Sequence, residues 1–255
     1  MSAKSIVKYF DCPNCGKSIM FKIKPEIEIP YDEVYKKKIM NDKLFTIYCR
    51  NCNFGMPLGY DCTYNDMDQH YMIWTYPGMT KEHMASIENY NKRLKTDRAL
   101  RLARNDYRMR VVRTDTQLKE KIIIFDENID DRVVEIMKIS CMPYITEGLN
   151  IKSEIVDFVF SKTKTPGQYC FLVRFKDTKP IVLNFDMNQY NELKEKFHDL
   201  MEERTTDGIN MINAAWATDI VRTYMETNTT DERIDVAARM QELAKENVEE
   251  HAKED

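Results

Sequence analysis

Two C-x-x-C pairs near the front of the chain, Cys12 with Cys15 and Cys49 with Cys52, stand 33 residues apart and limit the fold more than any other feature. A two-residue gap turns both sulfurs of a pair to one side of a tight loop, where backbone N–H groups bond the thiolates and reduce their mutual repulsion. Gly16, directly after the first pair, suits such a loop because glycine takes positive φ without steric cost, and Pro13 stiffens it. Two pairs favour a metal over a thioredoxin-like dithiol, and an all-sulfur set makes zinc the expected ion. Four thiolates complete a tetrahedron and leave no position for water, so the expected Zn2+ is structural. Such a site contributes about 10 to 16 kcal/mol in small peptides, enough to make the module's folding conditional on metal. His70 and Cys62 are the nearest alternative ligands. Each has a simpler reading, as a polar residue opening a strand and as a small half-buried apolar side chain.

Around the pairs, hydropathy outlines a ribbon. SIVKYF runs into the first pair, KSIMFKIKPEIEI reads as a strand continuing past it, and LFTIYCRNC supplies a strand into the second pair. Between them YDEVYKKKIMNDK reads as a short inserted helix capped by Asp32. GMPLGYDCTY and HYMIWTYP are two further strands joined at NDMD. From Thr80 to about Asn105 a stretch without Gly or Pro, with Met84, Ile87, Leu94 and Leu102 at helical intervals, reads as one connector helix. YRMRVVRT is a short strand, Thr114 or Asp115 caps a helix, and Asp130 and Asp131 open another. EIVDFVFSK, YCFLVRFK and IVLNFD form an antiparallel meander. MNQYNELKEKFHDLMEER and INAAWATDIVRTYME are helices, with Trp74 and Trp216 expected to anchor the two cores. The expected class is α+β: a zinc-ribbon module over residues 1–79, an α+β domain over 80–228, and a charged C-terminal helix or tail over 229–255.

With the cysteine pairs placed, the chain resembles the CpXC domain family of bacteria and archaea, named for two Cys-Pro-X-Cys motifs. Residues 12–15 read CPNC, while the second pair reads CRNC, with Arg50 in the proline position; that departure costs turn stiffness but no ligand. The similarity runs on through MIWTYP and RVVRTDTQLKEKIIIFDENIDDRVVEIMK. It implies a bacterial or archaeal metal-binding protein and no particular activity.

The remaining constellations are less specific. Residues 92–113 hold nine Lys and Arg residues. On one helix, Arg98, Arg101 and Arg108 would share a stripe able to follow a phosphate backbone; the simpler alternative is a solvated face with ion pairs to Glu88, Asp97 and Asp106. Asp126, Glu127, Asp130, Asp131 and Glu135 form an acidic cluster that helix capping explains without a substrate. Residues 1–122 carry 22 Lys and Arg against 15 acids, while the rest of the chain is acidic, so the basic half is open to an acidic partner, a nucleic acid or the chain's own acidic half. Seven glycines leave little for a phosphate-cradling loop, and GxGxxG, GKS, GKT, HExxH and GxSxG are all missing. The four histidines are scattered, and Cys141 and Cys170 sit in apolar contexts that suggest buried structural thiols. No apolar run approaches a membrane span and no secretory h-region opens the chain, so a cytoplasmic location is expected. The expected role is a zinc-stabilised protein that engages a protein partner or a second copy of itself. Nucleic-acid binding through Arg98, Arg101 and Arg108 is the alternative, and an enzyme with a site between the halves is a third.

Overall fold

A computed structural model describes residues 5–227; the charged C-terminal segment over 229–255 lies outside the described residues. The chain divides into two compact units, Met1–Ile122 with Asp207–Met211, and Ile123–Thr206 with Ile212–Asp255.

The first unit opens with two antiparallel hairpins. Strand β1 (Ile6–Asp11) pairs with β2 (Ser18–Ile23), and β4 (Thr46–Tyr48) pairs with β5 (Gly55–Pro57). The expected long strand after the first cysteine pair is instead two. Pro25 cannot donate to a ladder, and beyond it β3 (Glu26–Ile29) joins a different sheet, where it lies parallel to β6 (Cys62–Asp66). That sheet has the order β3-β6-β7-β8, with β7 (Tyr71–Thr75) antiparallel to β6 and β8 (Arg108–Val112) parallel to β7. GMPLGYDCTY is likewise divided, its two ends serving β5 and β6. Because β8 pairs along β7, the first unit continues well beyond residue 79.

Helix α1 (Glu33–Met40) is the expected insertion, but Asp32 at its N-cap position makes no capping bond. Its carboxylate accepts from the Glu28 N–H at 3.1 Å and from Lys24 Nζ at 3.0 Å, a buried ion pair for which the cap is given up. The single connector helix is also two, α2 (Lys81–Thr96) and α3 (Arg98–Ala103). Asp97 takes extended backbone angles and its side chain accepts from the Leu100 N–H at 3.0 Å, so a carboxylate that favours caps over helix interiors ends one helix and starts the next. Ile87 and Leu94 of α2 are buried with Met72, Trp74, Met109 and Val111, each worth about 1.5 to 3 kcal/mol on burial, whereas Met84 and Leu102 stay exposed.

The division between units falls within α4 (Asp115–Asp126). In the second unit α5 (Asp131–Pro143), capped by Asp130, runs into a π-helical turn at Tyr144–Gly148. Val133, Val134, Ile136 and Met137 of α5 are fully buried, and its Lys138 and Glu135 are buried as a pair 3.0 Å apart. The meander is β9 (Ile155–Lys162), β10 (Tyr169–Phe175) and β11 (Ile181–Asn184) in the order β11-β10-β9. Helices α6 (Met187–Lys196), α7 (His198–Glu203) and α8 (Ala214–Thr227) follow. Phe160, Phe171 and Phe185 meet edge-to-face at centroid distances of 4.9 to 6.3 Å and centre this core, each such pair adding about 0.5 to 1.5 kcal/mol. Trp216 is only half-buried, with its indole N–H donating to the Arg204 carbonyl at 3.3 Å, so the phenylalanines hold the place expected for it.

Candidate metal centre

Each cysteine pair forms the tip of one hairpin. The last paired residues are Asp11 with Ser18 and Tyr48 with Gly55, so the two tips have equal length. They also share a hydrogen-bond pattern. Cys12 N–H donates to the Lys17 carbonyl at 2.9 Å and Gly16 N–H to the Cys12 carbonyl at 2.8 Å; Cys49 N–H donates to the Phe54 carbonyl at 2.9 Å and Asn53 N–H to the Cys49 carbonyl at 2.8 Å. In both loops the residue after the second cysteine has positive φ, 68° at Gly16 and 57° at Asn53, and asparagine tolerates that region better than most residues. Arg50 in the place of Pro13 leaves this pattern intact.

The two tips bring Cys12, Cys15, Cys49 and Cys52 together, with all four Sγ atoms within 4.8 Å of one another. Sγ of Cys12 lies 3.6 Å from that of Cys52, and Sγ of Cys15 lies 3.6 Å from that of Cys49. These separations far exceed the roughly 2.05 Å of a disulfide. They approach the ~3.8 Å edge of a tetrahedron with metal–sulfur bonds of about 2.3 Å. Cys12 and Cys49 are buried against Ile19 and Ile47, with Phe10, Phe21 and Met56 around them, while Cys15 and Cys52 face partly outward.

The thiols differ in their electrostatics. The Asn14 side chain and the Phe54 backbone N–H pull Cys52 down to about 6. The Lys17 backbone N–H and the Asn51 side chain lower Cys15. Burial pushes Cys12 up to about 11, against the N–H groups of Asn14 and Cys15. Asn14 and Asn51 hold the same position in their loops, and each reaches the second cysteine of the other loop. This reciprocal bonding was not visible in the sequence, although the shared CxNC pattern is its trace.

Among the described residues, no other group of three or more Cys, His, Asp or Glu side chains converges as a metal site. Cys62 is buried, its S–H directed at the Lys24 carbonyl at 3.5 Å, and His70 stacks on Tyr107. The acidic cluster is dispersed: Asp130 caps α5 and pairs with Arg132, Glu127 meets Lys162 and the Tyr169 hydroxyl, and Glu135 meets Lys138. The expected helical stripe of arginines does not form, because α3 ends at Ala103. Arg98 and Arg101 are exposed on α3, whereas Arg108 opens β8 with its N–H on the His70 carbonyl at 2.9 Å. Five of the nine cations also lack the expected ion pairs. Among the described residues, Lys92, Arg93, Lys95, Arg98 and Arg101 form none, while Asp97 is used as a cap and Asp106 accepts from Asn105. No helix among the described residues is long and apolar enough to cross a membrane.

A family model described as CpXC protein matches residues 10–138, just over half of the 255-residue chain. No curated protein and no solved structure gives a significant match.

Proposed function

The chain belongs to the CpXC family, and from that premise we propose that it is a zinc-stabilised interaction protein. The observation that carries the reading is the convergence of four sulfurs, all within 4.8 Å of one another and two pairs of them 3.6 Å apart, from the tips of two hairpins with the same backbone pattern. Zinc deprotonates coordinating thiols outright, so the raised Cys12 thiol is no obstacle to a four-thiolate site. With every coordination position filled by sulfur, the ion joins the hairpins and does no chemistry of its own.

The joined hairpins hold apolar side chains in water. Tyr9 is 71% exposed and Met20, directly opposite it across the β1–β2 pair, is 53% exposed; Val7 lies on the same face of β1. Exposed aromatic and methionine side chains on a rigid sheet suit a protein partner. A second reading has one observation in its favour: among the described residues, no carboxylate pairs with the five exposed cations on α2 and α3. Contacts from all five to phosphates would give binding that falls with salt at a log–log slope of about −4 to −5.

Photo-crosslinking separates the two. A photoreactive residue at position 9 yields protein adducts under the first reading, and one at position 98 yields nucleic-acid adducts under the second. Nucleic acid at position 98 with nothing at position 9 would reverse their order.

A further inference from the structure

Strands β7 and β8 are parallel neighbours with Tyr71 beside Arg108, so the residues that precede them, His70 and Tyr107, stand abreast at one end of the sheet. Their rings stack, with centroids 5.3 Å apart and planes 13° from parallel. Tyr107 is held in place on other sides. It packs against the core cluster of Met72, Trp74 and Met109, and the Arg104 guanidinium lies over its ring, 4.8 Å from the centroid. His70 is exposed, and among the described residues its side chain makes no hydrogen bond or ion pair. Its backbone is left-handed, with φ of 52°, and its carbonyl accepts from the Arg108 N–H at 2.9 Å. The imidazole is therefore a solvent-facing plane, backed by a tyrosine and fixed to the end of a sheet.

A row of arginines leads to this stack. Arg98, Arg101 and Arg104 follow at three-residue intervals along α3 and its C-cap, so each is a side-chain neighbour of the next. Arg101 Nη1 donates to the Lys95 carbonyl at 3.2 Å, which joins the row to the end of α2, and Arg104 closes it on Tyr107. Arg98 and Arg101 are exposed. Residues 92–113 hold nine cations and only two carboxylates, Asp97 and Asp106, and both of these accept hydrogen bonds from their own loops. Cations alone would suit any polyanion. A stacking plane at the end of the row narrows the choice to a polymer that joins phosphates to flat bases, and a base still paired in a duplex cannot reach that plane.

We propose that this surface binds single-stranded nucleic acid, with Arg98 and Arg101 on phosphates and a base stacked on His70, which Tyr107 and Arg104 support. The inference rests on the nucleic-acid reading of the basic helices and deepens it, naming the single strand as the ligand and His70 as the base contact. All of these residues belong to the first unit, and neither the hairpin face nor the metal is involved.

The test titrates the full chain with labelled single strands, oligothymidine and oligouridine, of about 12 nucleotides, within the span such sites cover. An abasic strand of equal length and a duplex serve as comparisons. His70→Gly removes the ring and relieves the left-handed backbone, so it should unfold at or above the wild-type temperature. If it does not fold, His70→Asn removes the ring at a residue type that also tolerates this backbone. The loss of one stacked base should weaken single-strand binding at least about five-fold, with the salt dependence and the duplex affinity unchanged. The abasic strand should bind the wild type more weakly by a similar factor. Arg98→Gln combined with Arg101→Gln should instead reduce the log–log salt slope by about 1.4, at about 0.7 per phosphate contact on a single strand. Single-strand binding that a folded His70 variant leaves unchanged, or an abasic strand that binds as well, overturns the stacking site while the nucleic-acid reading stands. No binding of either single strand or of the duplex overturns both.

Discussion

Gly16 and Asn53 occupy the same place in the two cysteine loops: each has left-handed backbone, and each gives its N–H to the carbonyl of the first cysteine at 2.8 Å. The cost of a side chain should therefore differ between them in a known direction. A Cβ at Gly16 meets nothing within 4 Å, so Gly16→Ala carries only the backbone penalty, about 1 to 2 kcal/mol. Asn53→Gly should be neutral or slightly stabilising. Thermal unfolding of the zinc-loaded proteins measures both, and equal losses at the two positions would contradict the equivalence.

Asn14 and Asn51 each support a sulfur of the opposite loop. Groups that orient metal ligands from behind typically contribute 10- to 100-fold in metal affinity. Asn14→Ala and Asn51→Ala should each weaken zinc binding within that range in competition with a chromophoric chelator. Unchanged affinity in both would remove them from the account.

Burial pushes the thiols of Cys62 and Cys141 up to about 12. Reaction with iodoacetamide requires thiolate and access, so neither should be alkylated in the folded, zinc-loaded protein at pH 7.5. Both should label once the chain is unfolded, and peptide mapping reads the result. Rapid labelling of Cys62 in the folded protein would show that its buried environment is wrongly described.

Glu127 is held below the usual carboxylate range by Lys162 and by the Tyr169 hydroxyl. A carboxylate lowered in the folded state stabilises above its unfolded pKa, about 4.3, and loses that contribution as pH falls through the folded value. Glu127→Gln should therefore lower Tm at pH 7, by less than about 1 kcal/mol in stability because the pair is partly solvated. The gap from the wild type should close as the pH falls below about 4. A gap that widened with acidification would reverse the sign.

Features carried by neighbouring residues were legible in the sequence. The cysteine loops, the meander and the cap at Asp130 all follow from local spacing and polarity. Breaks were harder to see. Asp97 satisfies helical composition while acting as a cap, so one helix was expected where two stand, and the arginine stripe drawn on that helix does not form. Pro25 sits in an alternating pattern that conceals a change of sheet. Relationships across long separations left no signal: Asn91 clamps Ile209 over 118 residues, and which asparagine reaches which sulfur is decided only when the hairpins meet.

The most direct test is metal content by mass spectrometry for the wild type and for Cys12→Ser, Cys49→Ser and Cys141→Ser, purified in parallel. One zinc per chain is expected in the wild type and in Cys141→Ser, with metal lost from both Cys12→Ser and Cys49→Ser. No zinc in the wild type, or equal loss in all three variants, would contradict a four-cysteine centre at the hairpin tips.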